Sequence, residues 1–153
     1  DCVLLLKGKN KREVLEELIH NVADRSSINI DKIRELTWKR EKMMTTGVGF
    51  GLALPHIRIE EIPHPVIMCG VCENPIEDYG SQDDKPVRVI LYIMAPSGNQ
   101  ESYLELLGSV SAKMRDESTV NEIIENIGKP LQIVKVLKRR RKDEADSEGE
   151  DEE

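Results

Sequence analysis

An α/β fold, with a mixed β-sheet flanked by helices in a single domain, is predicted by three features of this sequence. Helix-period and strand-period stretches alternate along the chain instead of clustering, which suits helices layered on a sheet. One stretch, Val87 to Met94, is apolar at nearly every position, as expected of a strand covered on both faces. Proline- and glycine-rich clusters punctuate the boundaries between stretches. At 153 residues the chain can bury a core without disulfides or metal ions.

Taken in order, Val3 to Leu6 is a strand-sized apolar run. From Asn10 to Asp24, Val14, Leu15, Leu18, Ile19, Val22 and Ala23 form one helical stripe, and Asn10 with Glu13 reads as a capping box. A shorter helix follows from about Asp31 to Glu41, with Ile33 and Leu36 inward and Trp38 covering its end, until the glycine-rich segment stops it. Leu52 to Leu54, Val66 to Cys72 and Val87 to Met94 read as strands between Pro63, Pro65, Pro75 and the turn cluster "SQDDKP". Leu104, Leu107, Val110 and Met114 then recur at helical spacing behind Ser97 and Asn99, either able to cap. Helical pieces over Thr119 to Ile127, closed by Gly128, and over Leu131 to about Lys138 complete a domain over residues 1–137. Residues 138–153 carry five bases and then eight acids with almost nothing apolar, and are expected to be a disordered tail.

Of the net charge of −7, the tail contributes −3 and residues 1–137 the other −4, so the body of the chain is mildly acidic and nucleic acid is not expected as a partner. With one Trp and one Phe there is no surface for base stacking. No apolar run reaches the length of a signal or a membrane span, and three cysteines without dense spacing fit a reducing, cytoplasmic setting. The chain opens on Asp1 without an initiator Met, and the expectation is a cytoplasmic piece of something longer.

Three motifs invite chemistry. "GVGFG" lacks the preceding strand and following helix of a dinucleotide fingerprint, so its glycines are read as giving close backbone approach or positive φ. "CGVC", Cys69 to Cys72, lies inside a strand pattern, where residues three apart point to opposite faces; packing is the expected role rather than redox or zinc chemistry. In "TGVGFGLALPHIR", Pro55 stiffens the approach to His56 while Arg40 and Arg58 are available to meet an anion. His20, on a helix rim, and His64, between two prolines, read as structural or solvent-facing.

"REK" at Arg40 to Lys42, "TGVGFGLALPHIR", "PIEDYGSQDDKPVRVILYIMAP" and the helix carrying "LELLGSV" follow one another in an order that resembles the enzyme IIA domains of the mannitol, fructose and nitrogen type of the bacterial phosphotransferase system. The resemblance spans about residues 1–137 and implies a mannitol-type enzyme IIA fold. It also implies that His56 takes a phosphoryl group from the phosphocarrier HPr and passes it to a IIB partner. Arg40 would assist, and Thr46, Gly49, Gly51, Pro55 and Arg58 would support the loop, with no cofactor and no metal. The family's second active-site histidine falls at Tyr103, which donates a neutral hydrogen bond but cannot become cationic. Three readings follow: a regulatory enzyme IIA-like domain that modulates a partner or a fused membrane transporter such as a cation/proton antiporter; an active phosphocarrier in sugar uptake; or a degenerate fold sensing a small ligand.

Overall fold

The computed structural model describes residues 2–139; the acidic run and most of the basic run lie outside them. Among the described residues, six strands and five helices follow in the order β1 (Val3–Leu6), α1 (Lys11–Ser26), α2 (Ile30–Met43), β2 (Gly47–Gly49), β3 (Leu52–Ala53), β4 (His56–Ile59), β5 (Val66–Ile76), β6 (Val87–Pro96), α3 (Gln100–Met114), α4 (Glu117–Glu125) and α5 (Pro130–Lys138). None of these helices is long and apolar enough to cross a membrane.

Capping side chains start α1 to α4, whereas α5 opens on Pro130 without one. Asn10 accepts the amide of Glu13 at 2.9 Å and Asn29 that of Asp31 at 2.8 Å, while Asn99, not Ser97, caps α3 through Ser102 at 3.1 Å. Each takes up an N–H that the first turn leaves without an intrahelical partner. Asp116 does the same for α4, accepting Ser118 N–H at 3.0 Å, so that helix begins two residues before the position expected from its apolar pattern. α1 buries Val14, Leu15, Leu18, Ile19, Val22 and Ala23, the stripe read from the sequence. Trp38 does not close the end of α2. Its indole turns back toward α1 and donates to Glu16 Oε1 at 3.1 Å, giving its partly buried N–H an acceptor.

The sheet runs β1-β5-β6-β3-β2, with β4 also paired to β6. β5 and β6 form its antiparallel centre, β1 joins β5 in parallel, and β3 and β4 lie one after the other, both parallel, along the same edge of β6. Alternation along the central strands separates two cores. Met68, Cys72, Ile90, Tyr92 and Met94 pack with α1 and α2, while Cys69, Val71, Val89 and Leu91 pack with α4, α5 and Met114 of α3. Cys69 and Cys72 thus fall on opposite faces, both as free thiols, and burial pushes each up to about 12.

Two strands were not expected. β2 is hidden by its glycines, and β4 by its four-residue length and the proline before it. The β2–β3 turn places Phe50 and Gly51 at φ 60° and 76°, after Gly49 at 95°, so two of the glycines of "GVGFG" supply left-handed backbone. Gly47 answers to close approach instead, since a Cβ there would stand 3.0 Å from Ser81 Cα.

Candidate functional site

The backbone around His56 is stapled on both sides. Leu54 N–H donates to Thr46 O at 2.9 Å, and Pro55 O accepts Ile93 N–H from β6 at 2.9 Å. Pro55, buried and without an N–H of its own, stands where β3 ends and β4 begins. His56 is therefore the first residue of a strand, in register with Ile93, and not a loop residue. Within β4, Ile57 and Ile59 enter the core, while His56 and Arg58 alternate to the opposite side and stay half-buried.

The shorter of two hydrogen bonds to the imidazole runs between Nδ1 and Leu54 O at 2.8 Å; in the other, Arg40 Nε donates to Nε2. A carbonyl oxygen only accepts, so Nδ1 carries the hydrogen and the neutral ring keeps its lone pair on Nε2. Burial lowers the His56 pKa below 6.5; the Leu54 bond opposes this, Arg40 adds to it, and Glu41 opposes it. The ring is thus neutral at pH 7. Facing Nε2 is Arg40 Nε at 3.4 Å. Arg40 stands in the last turn of α2 and its Nη1 donates to Met44 O at 2.7 Å, which caps the helix end and fixes the guanidinium.

Beneath Arg40 lies a buried polar cluster that the sequence reading missed. Glu41 pairs with Lys11 Nζ at 2.8 Å and accepts the Thr46 hydroxyl, and Thr46 Oγ1 also meets Tyr79 OH at 2.8 Å. Lys11 completes it, donating to Tyr79 O at 3.2 Å. This cluster ties the start of α1, the end of α2, the approach to β2 and the segment after β5 together. A signal existed: Ile33, Thr37 and Glu41, the buried residues of α2, are spaced four apart, so an acid sat on the apolar stripe.

On the other side, Tyr103 of α3 approaches His56 with ring centroids 6.3 Å apart and planes tilted by 51°. Arg58 lies across the Tyr103 ring, its Cζ 4.6 Å from the centroid, a cation–π contact. Burial raises the Tyr103 pKa while Arg58 and Arg40 oppose the rise, so the phenol keeps its hydrogen at neutral pH. Arg58 Nε is buried and has no hydrogen-bond partner. A cavity of about 370 Å³ lined by Pro63, Pro65, Asn99 and Leu106 opens beside Tyr103.

Of the residues singled out in the sequence, Arg40, Pro55, His56, Arg58 and Tyr103 converge, and Thr46 supports them from below. Gly49 and Gly51 do not join them: at the far end of the hairpin they neighbour Asp83, Val120 and Arg88. His20 is exposed on α1, its Nδ1 2.8 Å from Glu16 O, and His64 is exposed. What converges is a neutral imidazole beside one guanidinium, with a second stacked on the neighbouring Tyr103, an arrangement chemically suited to meet an electrophile that carries negative charge.

Comparison with known proteins agrees in kind. The family described as phosphoenolpyruvate-dependent sugar phosphotransferase system, EIIA 2, matches residues 1–140. A nitrogen regulatory protein of Bradyrhizobium diazoefficiens is 29% identical over 118 residues, covering 77% of this chain and 76% of its own. The fructose-specific EIIA component of Haloferax volcanii is 27% identical over 116 residues, 75% of either chain. In structure, the nitrogen regulatory protein IIA-Ntr of Neisseria meningitidis superposes with a TM-score of 0.73 at 25% identity, covering 80% of this chain and 83% of that one.

Proposed function

We propose a function from one premise: the chain belongs to the EIIA 2 family of the phosphoenolpyruvate-dependent sugar phosphotransferase system. As a IIA-type domain, it works as a regulatory module in which His56 Nε2 is the phosphoacceptor. The observation that carries this reading is the tether of Nδ1 to Leu54 O, which leaves the Nε2 lone pair directed toward Arg40. In the reaction, Nε2 attacks the phosphorus of a phosphohistidine donor such as HPr. The Nε2–P bond forms as the donor N–P bond breaks, and the donor imidazole leaves with the electron pair. Arg40 offsets charge on the phosphoryl oxygens, so neither metal nor nucleotide is called for.

The regulatory role rests on Tyr103. A cationic histidine there would give a charge-assisted hydrogen bond, roughly twice as strong as the neutral one that a phenol donates. The difference corresponds to about 1–2 kcal/mol of transition-state stabilisation, or roughly tenfold in rate. A slow acceptor suits a signal better than sugar flux. Its target would be a cytoplasmic partner or a membrane transporter, fused or associated, and resemblance to a nitrogen regulatory protein supports this choice.

The second reading, a phosphocarrier passing the group on to a IIB domain, is favoured by similarity to a fructose-specific EIIA component. Incubation with phosphorylated HPr separates the two. Slow or substoichiometric acid-labile labelling, lost in His56→Asn and accelerated about tenfold in Tyr103→His, is the regulatory outcome. Full-rate labelling with no gain from Tyr103→His would instead establish the carrier, and no labelling of either form would remove His56 from phosphoryl chemistry.

A further inference from the structure

A second concave site lies at the opposite end of β6. A cleft of about 340 Å³ is bounded by the Phe50–Gly51 turn, the loop ahead of β6 and one face of α4. Ile93, the register partner of His56, lies five residue steps along β6 from Arg88, so the cleft stands roughly 17 Å along the strand from the histidine. Three observations there are unused by the phosphoryl chemistry. Arg88, half-buried in the wall, has its Nε enclosed and without a hydrogen-bond partner. Phe50 adopts φ 60° at a turn position that favours Asn or Gly, yet carries a ring left 42% exposed at the mouth. Its backbone is held there, Phe50 N–H donating to Asp83 Oδ2 at 3.1 Å.

Charge defines what the cleft would take. Arg88 and Lys85 supply two positive charges and Asp83 and Glu117 two negative ones, while Pro75, Pro86, Val120 and Ile124 add apolar surface. A simple anion would meet the acids unfavourably and a simple cation the bases; a ligand carrying both charges on an apolar body meets neither objection. We propose that this cleft binds a zwitterionic amino acid with a bulky apolar side chain. The guanidinium fork of Arg88 receives the carboxylate, the Glu117 carboxylate receives the ammonium group, and the side chain lies against Phe50 and the proline and aliphatic walls. The site is separate from His56, and its occupancy does not require the phosphoryl reading to hold.

The test is titration of the full chain, followed by amide NMR shifts, with three probes sharing one ring: L-phenylalanine, L-phenylalaninamide, which lacks the carboxylate, and 3-phenylpropionate, which lacks the ammonium group. L-Phenylalanine is expected to shift the amides of Phe50, Gly51 and Asn121 saturably. Each truncated probe should bind about tenfold more weakly, as should L-phenylalanine to Arg88→Gln and to Glu117→Gln. Arg88→Lys, which keeps the charge and loses the fork, should fall between and guards against a folding defect in the glutamine variant. Absence of saturable shifts at millimolar L-phenylalanine overturns the proposal. So does equal binding of all three probes, or affinity unchanged in the Arg88 and Glu117 variants.

Discussion

The two walls of the His56 site are built differently. Arg40 stands on α2, whose stripe Ile33, Thr37 and Glu41 is buried and whose end is tied down through Glu41 to α1, Thr46 and Tyr79. Tyr103 stands on α3, a 15-residue helix in which Met114 alone is fully buried and Leu104 is 57% exposed. Few buried apolar contacts make a helix cheap to move, whereas an enclosed ion pair with several hydrogen bonds does not shift without breaking. His56 and the Arg40 guanidinium therefore share a rigid frame, and Tyr103 stands on the adjustable wall. If His56 accepts a phosphoryl group as proposed, substitution at Tyr103 is expected to change the rate of transfer without disturbing the fold.

The comparison breaks most readily at Glu41. Glu41→Ala removes the carboxylate that the Lys11 ammonium and the Thr46 and Tyr79 hydroxyls share, leaving Lys11 without its counter-charge, and losing one partner of a buried pair costs about 3 kcal/mol. Urea unfolding should show that loss, and labelling of His56 should fall with it because Arg40 is the adjacent residue. On the other wall, Leu104→Ala should change stability by no more than about 0.5 kcal/mol. Equal losses at the two positions would mean that α3 is as firmly docked as α2. The Tyr103→His acceleration described above is the next largest effect, and it is expected without a change in unfolding midpoint.

A smaller effect follows from the protonation of His56. Its pKa in the folded chain lies below the unfolded value of about 6.5, chiefly through burial, so the unfolded state binds the proton more readily. The stability held by the neutral ring is full above that unfolded value and is lost as pH falls through it toward the folded pKa. The unfolding midpoint should accordingly drop between pH 7.5 and pH 5.5 by more in the native chain than in His56→Asn. The opposite order would indicate that the ring is stabilised as a cation, with Arg40 turned away.

Much of this frame was legible in the sequence because the signals are local. The stripe of α1, the Asn caps and the two-sided apolar run of β6 each follow from residues a few positions apart. "TGVGFGLALPHIR" singled out His56 and Arg58, and the family resemblance Arg40 and Tyr103, four residues that the structure brings close together. Long-range geometry was not legible. β4 is a strand only because His56 to Ile59 finds the free edge of β6 beyond Leu52–Ala53, a pairing that four residues after a proline do not announce. Lys11, Glu41 and Tyr79 form one cluster across separations of up to 68 residues, and each alone reads as an ordinary surface or strand-flanking residue. The stack of Arg58 on Tyr103 depends in turn on where α3 lies against β4.

The smallest effect probes the looser layer at its end. α5 ends at Lys138, where the sequence placed the end of that helix, and Arg139 forms a two-pronged ion pair with Glu122 of α4, at 3.0 and 2.7 Å. Both side chains are solvated, so the pair contributes little to stability. Truncation after Leu137 removes it, whereas truncation after Arg139 keeps it and deletes only the remaining charged residues. We expect the first chain to melt slightly below the full one, with the difference shrinking at high salt as the pair is screened, and the second to match it. A loss of several degrees in the chain ending at Arg139 would show that the charged segment braces the α4–α5 layer. That layer would then no longer be the one held chiefly by a few apolar anchors.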